Sequence, residues 1–266
     1  MDDLIIQGGA SVSTTSTMAI AGDLTATGTL TASAGTISLS GTGKSIAGAG
    51  ALQFFALNVP GTITLARDQF ISSNLNVAGS LLATAGTTTF NGTTTLSGTA
   101  SLFNVTLPAT RTLTMGTSSH MQIAGAVTSA GTFNTSSNFP NTVTYNGTGA
   151  PTLIFSNFYH LIASNGNVKT PSAGTTINGN FTIGAGTTFF GGTFSHSLSG
   201  NWANSGTFTP NTSTFTMTGN LDATMSGAST FNNLTINKGT SNNVTLLNNM
   251  TTLNLDVSVG KMFTGS

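Results

Sequence analysis

Residues 200–219, with the sequence GNWANSGTFTPNTSTFTMTG, decide the fold class because they contain two strand signals separated by turn residues. Residues 206–209 and 213–217 alternate Thr or Ser with larger side chains, a period of two that is typical of a half-buried β-strand. Pro210 and Asn211 between them are common turn residues. The stretch therefore predicts two short strands joined by a turn.

The first part of this stretch belongs to a block that recurs along the chain. The block reads apolar, any residue, Gly, any residue, apolar, and is followed by Gly-Thr. Its copies begin at Ile20, Val77, Ile123, Ile177 and Leu198. The copies at Ile20, Ile123 and Leu198 keep identical spacing to the Gly-Thr pair, and the other two are one residue longer. Such self-similarity predicts a repeat architecture.

A second block reads aromatic or Leu, two variable residues, Leu or Val, one residue, and a smaller apolar residue. Its four copies lie at residues 54–59, 102–107, 158–163 and 231–236. Alternating segments that end near Gly precede the copies, at residues 36–39, 87–92, 142–147 and 213–219. Further alternating segments follow three of them, at residues 62–65, 112–115 and 243–246; no segment aligns after the copy at Phe158. We interpret all of these segments, including the aromatic block, as strands.

The recurring order of strands and Gly turns predicts an all-β chain, a single domain over residues 1–266. The chain has no Glu, and no run places apolar residues at helical spacing over two turns. A sandwich or barrel is the alternative, but such folds usually protect sheet edges with charged residues. A parallel β-solenoid, or β-helix, of roughly a dozen irregular coils fits better, because neutral Thr, Ser and Asn ladders can cover its outer faces.

Charge is scarce: only 5% of residues are charged, against roughly 25% in ordinary soluble domains. The six basic residues form no patch for nucleic acid; they are Lys44, Arg67, Arg111, Lys169, Lys238 and Lys261. The absence of Cys excludes disulfides and Cys metal clusters. No apolar run approaches the roughly 20 residues of a membrane helix, so membrane insertion is not expected.

The run at residues 200–219, with Thr230-Phe231-Asn232-Asn233-Leu234-Thr235-Ile236 after it, resembles repeats of large bacterial surface and secreted proteins. These repeats look like right-handed parallel β-helix adhesins. The resemblance implies a right-handed β-helix and an extracellular or cell-surface location. Asp2 and Asp3 stand where a secretory signal carries basic residues, so the route of export is not visible; a processed form is one explanation.

Candidate chemical groups are few, and we predict no catalytic, cofactor-binding or metal-binding residues. The carboxylates are far apart in sequence, and Arg67-Asp68 is expected to form a local ion pair in a turn. His120, His160 and His196 are isolated from carboxylates and are expected to be structural. A polysaccharide-active enzyme using Asp68 or Asp222 is a weaker alternative, and an ice-binding Thr array would need more regular spacing than these repeats show.

The two termini carry the strongest functional signal, because both are apolar and neither shows a capping helix or polar cap. Residues 1–10 are a candidate exchange strand and residues 253–266 a candidate joining strand; we read residues 253–263 as one strand. Uncapped edges favour the addition of further copies, which predicts a non-enzymatic, self-assembling homopolymer that forms an extracellular filament. The alternative is an adhesin or phage-fibre shaft that binds surface glycans or a host surface. The predicted self-association residues are Leu4, Ile5, Ile6, Val257, Val259, Met262 and Phe263.

Overall fold

A computed structural model of the chain describes residues 1–264. The described residues contain no helix, and their parallel strands stack as a β-solenoid of about 14 turns. The predicted all-β class and parallel solenoid are therefore confirmed, with slightly more coils than the dozen expected. Residues 265–266, the end of the predicted joining strand, lie outside the described residues.

The chain divides into two compact units, which are described separately: unit 1 (residues 1–141) and unit 2 (residues 142–266). Unit 1 contains the strands β1 (Leu4–Ile6), β2 (Ser11–Thr14), β3 (Met18–Ile20), β4 (Leu24–Ala26), β5 (Thr29–Ala32), β6 (Thr36–Leu39), β7 (Thr42–Ala47), β8 (Leu52–Phe54), β9 (Ala56–Asn58), β10 (Thr62–Ala66), β11 (Gln69–Ile71), β12 (Asn74–Ala85), β13 (Thr87–Phe90), β14 (Thr93–Leu102), β15 (Asn104–Leu107), β16 (Thr112–Met115), β17 (His120–Ile123), β18 (Val127–Ser129) and β19 (Thr132–Asn134).

Unit 2 contains the strands β20 (Thr142–Tyr145), β21 (Thr152–Leu153), β22 (Asn157–Phe158), β23 (His160–Ala163), β24 (Asn167–Pro171), β25 (Thr176–Ile177), β26 (Phe181–Ile183), β27 (Thr187–Phe190), β28 (Ser195–Leu198), β29 (Trp202–Asn204), β30 (Thr207–Thr209), β31 (Thr214–Met217), β32 (Ala223–Ser226), β33 (Ser229–Asn237), β34 (Asn243–Leu246), β35 (Met250–Val259) and β36 (Lys261–Thr264). The prediction of one domain over residues 1–266 stays a prediction.

Parallel pairing stacks each coil on the one before it. Leu24 pairs with Leu4 in one neighbouring coil and with Ile46 in the other, so equivalent positions recur about every twenty residues. In β6, for example, the inward Ile37 and Leu39 are buried, and the alternating outward positions are Thr36 and Ser38. On one outer face Asn58 donates to Ser38 (3.1 Å) and Asn76 donates to Asn58 (2.7 Å). Neutral amides and hydroxyls therefore satisfy one another from coil to coil, as the sequence predicted.

Three of the four copies of the aromatic block contain a corner between two strands, which corrects our interpretation of them as single strands; the copy at residues 231–236 lies within β33 (Ser229–Asn237), as predicted. Phe54 ends β8, and β9 begins two residues later with Leu57 at its centre; both side chains are buried. Residues three positions apart on a straight strand would face opposite sides, so both can point inward only if the chain bends between them. The copies at 102–107 and 158–163 bend in the same way, between β14 and β15 and between β22 and β23.

Glycines in the first block allow the turns to stack closely. Gly79 and Gly61 occupy adjacent coils, and a Cβ atom on Gly79 would overlap the carbonyl oxygen of Gly61. A Cβ on Gly61 would in turn overlap the carbonyl oxygen of Gly41. The backbone amide of Gly79 donates to Val59 at 2.9 Å, which is a contact between coils. The block needs Gly here because the neighbouring backbone occupies the space of a side chain.

The cores of the two units differ in chemistry. Unit 1 is filled mostly by Leu, Ile and Val, with Phe54 and Phe90 as fully buried aromatic residues. Unit 2 contains an aromatic cluster around Trp202, whose indole Nε1 donates to Ser229 Oγ at 3.1 Å. The rings in contact with Trp202 are Phe181, Phe208, Phe215 and Phe231, with centroids 5.0–5.3 Å away.

Candidate self-association site

The predicted N-terminal residues lie on β1, which pairs in parallel with β4. Leu4 and Ile6 lie in register with the buried Leu24 and Ala26, so both point toward the core. Ile6 is buried and Leu4 half-buried, whereas Ile5 points outward and is 66% exposed. Among the described residues, β1 pairs on one side only. Its other edge presents backbone N–H and C=O groups that another strand could bind.

The predicted C-terminal segment is two strands rather than one, which corrects our reading of residues 253–263. β35 ends at Val259 and β36 begins at Lys261, with Gly260 between them at φ +93°. Only Gly adopts this backbone conformation readily, so Gly260 turns the chain at a corner of the coil. β35 then pairs with β33, and β36 pairs with β34.

At β35, apolar side chains that point toward the core are exposed to solvent. Leu255 and Val257 lie in register on Leu234 and Ile236, which are 2% and 0% exposed. Leu255 and Val257 therefore occupy inward positions, yet they are 47% and 45% exposed. Among the described residues, no strand pairs with the outer edge of β35. The inward apolar side chains of successive coils stack on one another, and these stacks reach the surface at the coil that contains β35.

The remaining predicted residues have different orientations. Met262 lies in register on the buried Val244 and is half-buried. Phe263 lies beside Thr245 on the outer face and is half exposed, and Val259 follows a register shift and is 37% exposed. Leu255 is not among the residues predicted from the sequence, although its spacing of two from Val257 marks both as inward positions of one strand.

The register also changes how a deletion would act. Removing residues 1–8 takes away β1, and the sequence-based expectation is a soluble monomer. In the structure, β4 would then become the edge, with Leu24 at the position that Leu4 held. The deletion moves the open edge by one coil without closing it, so point substitutions on the edge strands are the sharper test.

Three basic side chains, Arg67, Lys169 and Lys238, donate from one coil to backbone carbonyl oxygens of earlier coils. Arg67 Nη1 donates to the carbonyl oxygens of Ala26 (3.1 Å) and Ala47 (2.7 Å), which belong to two preceding coils. Lys238 Nζ donates in the same way to Ser199 (2.7 Å) and Thr218 (2.6 Å). Burial lowers the pKa of Arg67 and of Lys238. Both cations therefore bind the backbone of their own unit.

Substitution of Lys238 by Met is expected to destabilise unit 2 by about 1–3 kcal/mol, because two carbonyl oxygens lose their charged donor while the apolar stem stays packed. Chemical denaturation followed by circular dichroism measures the effect. Lys44→Met, at a partly exposed lysine of unit 1, is the control and is expected to change stability by less than about 0.5 kcal/mol. Equal stability of the Lys238→Met variant and the wild type would contradict the role of Lys238.

Four of the six aspartates accept a backbone N–H of the following coil. Asp3 Oδ1 accepts the N–H of Asp23, and Asp23 Oδ1 accepts the N–H of Ser45, at 2.8 and 2.7 Å. Asp68 accepts the N–H of Thr87, and Asp222 accepts that of Asn243, each at 2.8 Å. Arg67 therefore binds the backbone of preceding coils, and Asp68 binds the backbone of the following coil. The predicted local ion pair between them is not the main contact of either side chain.

His196 is a buried, uncharged residue of unit 2. Its Nδ1 accepts the backbone N–H of Thr175 at 3.1 Å, so Nε2 carries the proton and donates to the carbonyl oxygen of Gly191 at 2.8 Å. The ring stacks on Phe215, with centroids 4.8 Å apart. Burial lowers the pKa of His196, and the bond to Gly191 opposes this shift. In a protonated ring, the Nδ1–H would face the backbone N–H of Thr175, and the Thr175 hydroxyl, 2.9 Å away, would have to accept its hydrogen bond.

Unit 2 is therefore expected to lose stability in mild acid. The unfolded chain binds a proton near the ordinary histidine pKa of about 6.5, while the folded state binds it only at lower pH. Stability should hold above about pH 6.5 and fall below it, by up to about 1.4 kcal/mol per pH unit per histidine. Denaturation between about pH 5 and 8 measures this slope.

His160, whose pKa burial also lowers, should contribute to the slope in the same direction. The His196→Gln variant is therefore expected to keep part of the dependence of unit 2 stability on pH. The double variant, which also carries His160→Gln, is expected to lose this dependence. A stability of unit 2 that stays flat down to about pH 5 would contradict the account of His196.

Within residues 1–264, no group of three His, Cys, Asp or Glu side chains could hold a metal ion. The same residues include no helix suited to crossing a membrane. Comparison of the chain with models of protein families, with curated proteins and with solved structures returned no match. The assignment of this chain to the class of parallel β-solenoids with apolar edge strands therefore rests on its own sequence and structure.

Proposed function

We propose that this chain is a structural, non-enzymatic subunit that adds end to end to further copies of itself and forms an extracellular or cell-surface filament. The observation that carries the proposal is the half exposure of Leu255 and Val257 directly on the buried Leu234 and Ile236. Among the described residues, these side chains continue the stacks of inward apolar residues to the outer edge of β35. A further coil from a second copy would bury them as the earlier coils bury their equivalents.

Backbone pairing supports the same proposal. The edges of β1 and β36 both belong to parallel ladders, so a second copy can extend either ladder with the same hydrogen-bond geometry that connects coils within the chain. The two edges are different surfaces of the protein, and a contact between them is heterologous. Such a contact repeats without limit when it does not close into a ring, which gives a filament.

The scarcity of charge also favours assembly. Proteins that stay monomeric usually protect edge strands with charged residues, especially Lys. The strand β35 carries one charged residue in ten, Asp256, whose carboxylate accepts the hydroxyl of Ser258 at 2.6 Å. The extracellular location in this proposal rests on the resemblance of the repeats to bacterial surface proteins.

Substitution of Val257 by Lys tests the proposal on the exposed end. The new charge would lie between coils of two copies, so we expect the critical concentration for assembly to rise at least about tenfold. The monomer should fold normally because Val257 is already half exposed. Sedimentation velocity over a range of concentrations measures assembly.

Thr251→Lys is the matched control, because Thr251 is an exposed residue of the same strand in register with the exposed Thr230. We expect this variant to assemble like the wild type. Equal assembly of the Val257→Lys variant and the wild type would argue against a joint at β35.

The alternative function, an adhesin that binds glycans, has one supporting feature in unit 1. An open cleft of about 550 Å³ lies between residues 48–52 and the segment that includes Arg67, Asp68 and Phe70. Phe70 is 36% exposed, and aromatic rings combined with charged groups suit sugar binding. A glycan array probed with the wild-type monomer and with the Phe70→Ala variant would support this function if a signal is present and depends on Phe70.

A further inference from the structure

The strand β36 has a defined inner and outer face. Met262 lies on the buried Val244 and points inward, while its neighbours Lys261 and Phe263 lie beside Asn243 and Thr245. Lys261 is exposed, and Phe263 is 50% exposed. The outer face of this edge strand therefore presents a cation and an aromatic ring, two positions apart.

The strand β1 has the complementary outer face. Leu4 points inward on Leu24, and Ile5 points outward and is 66% exposed. Asp3 precedes Leu4 and is exposed, so this edge presents an anion and an apolar side chain, also two positions apart. The Asp3 carboxylate accepts the N–H of Asp23 through Oδ1, and a carboxylate can accept further hydrogen bonds.

We propose, on the basis of the end-to-end assembly above, that β1 of a second copy pairs with β36 in the register that places Leu4 on Met262. This register brings Asp3 beside Lys261 and Ile5 beside Phe263. It keeps the parallel pairing found throughout the chain, and it continues the inward column Val244–Met262 with a third apolar residue. The partner is a second copy of this chain, recognised by one charge pair and one apolar pair.

Other registers lose these contacts. A shift by one residue turns Leu4 outward and removes the inward column. A shift by two that places Ile6 on Met262 puts Leu4 on Gly260 and Ile5 beside the Lys261 ammonium group. The opposite shift puts Leu4 on Thr264 and the Asp3 carboxylate beside the Phe263 ring. Of these registers that keep Leu4 inward, only the one with Leu4 on Met262 forms both the charge pair and the apolar pair on the outer face.

A charge exchange between copies tests the register. Asp3→Lys places two lysines at every joint, and Lys261→Asp places two aspartates there. Each variant alone, at low ionic strength, is expected to raise the critical concentration about five- to tenfold. An equimolar mixture restores an opposite-charge pair at every joint if the two variants alternate. The mixture should therefore assemble within about twofold of the wild type, and salt should reduce all of these differences.

The outcomes separate the register from the proposed function. Rescue in the mixture, with both single variants impaired, supports the register. Assembly of both single variants at the wild-type concentration overturns the register and leaves end-to-end stacking in place. Impaired single variants that show wild-type circular dichroism but no rescue also overturn it. A wild-type protein that never assembles overturns the proposed function, and the register with it.

Discussion

Replacement of Trp202 by Ala is expected to lower the free energy of unfolding of unit 2 by about 3–5 kcal/mol. Trp202 is completely buried, and four phenylalanine rings surround its indole at centroid distances of 5.0–5.3 Å. Truncation removes these contacts and leaves a cavity that neighbouring coils cannot fill, because their backbone ladders fix the spacing. The substitution also leaves the Ser229 hydroxyl without its indole donor.

Denaturation followed by far-ultraviolet circular dichroism measures this loss, since the variant contains no tryptophan for fluorescence. Leu221→Ala is the matched control: it truncates an apolar side chain of the same unit that is 77% exposed. We expect it to change stability by less than about 0.5 kcal/mol. A loss below about 1 kcal/mol for Trp202→Ala would contradict the central role of the aromatic cluster.

Replacement of Gly79 by Ala is the second large effect, expected to cost unit 1 about 3 kcal/mol. The added methyl group would overlap the carbonyl oxygen of Gly61 and lie 2.5 Å from that of Pro60. Both are backbone atoms of the neighbouring coil, so relief requires the coils to separate and lengthens the hydrogen bonds between them. The variant is therefore expected to unfold at markedly lower denaturant concentration.

Gly8→Ala provides the control in the same unit. A Cβ on Gly8 would lie 4.0 Å from the Thr27 hydroxyl oxygen, which is ordinary contact, and its backbone lies outside the left-handed region. We expect no loss of stability, and a small gain is consistent with the lower entropy of the unfolded chain. Similar losses in the two variants would show that close stacking of the glycines is not the reason for their recurrence.

Strand positions could be predicted from the sequence because an alternating pattern requires only local geometry. The segments predicted at residues 36–39, 112–115 and 243–246 are strands in the structure with those bounds, and those predicted at 87–92 and 142–147 contain the strands β13 and β20. Three copies of the aromatic block were misread because their three-residue spacing was treated as part of a strand, whereas the fourth copy, at residues 231–236, does lie within the strand β33. The spacing is itself the signal of a corner, since both the aromatic residue and the following Leu or Val point inward.

Contacts between distant coils could not be predicted in this way. Arg67 reaches a carbonyl oxygen 41 residues earlier, and Lys238 reaches one 39 residues earlier. Every residue has a backbone carbonyl group, so the residue types in the sequence do not show which carbonyl oxygen accepts the hydrogen bond of Arg67 or of Lys238. The buried position of His196 was missed for the same reason, because its partners Thr175 and Gly191 bind it through backbone atoms.

At the ends of the chain, the apolar segments could be predicted from the sequence, but the orientation of their side chains could not. The seven predicted residues form one class in the sequence, whereas in the structure Ile6 is buried, Leu4 and Met262 are half-buried, and the rest are exposed to different degrees. Orientation depends on register, and register becomes known only when the neighbouring strand is identified. With the register known, Leu255 joins the candidate residues and the pairing of β1 with β36 can be specified.

Negative-stain electron microscopy of the purified 266-residue protein at increasing concentration tests end-to-end assembly most directly. The account predicts unbranched filaments one solenoid wide, whose length increases with protein concentration. Separate particles of constant size at every concentration, from protein with a folded β-rich circular dichroism spectrum, would contradict it.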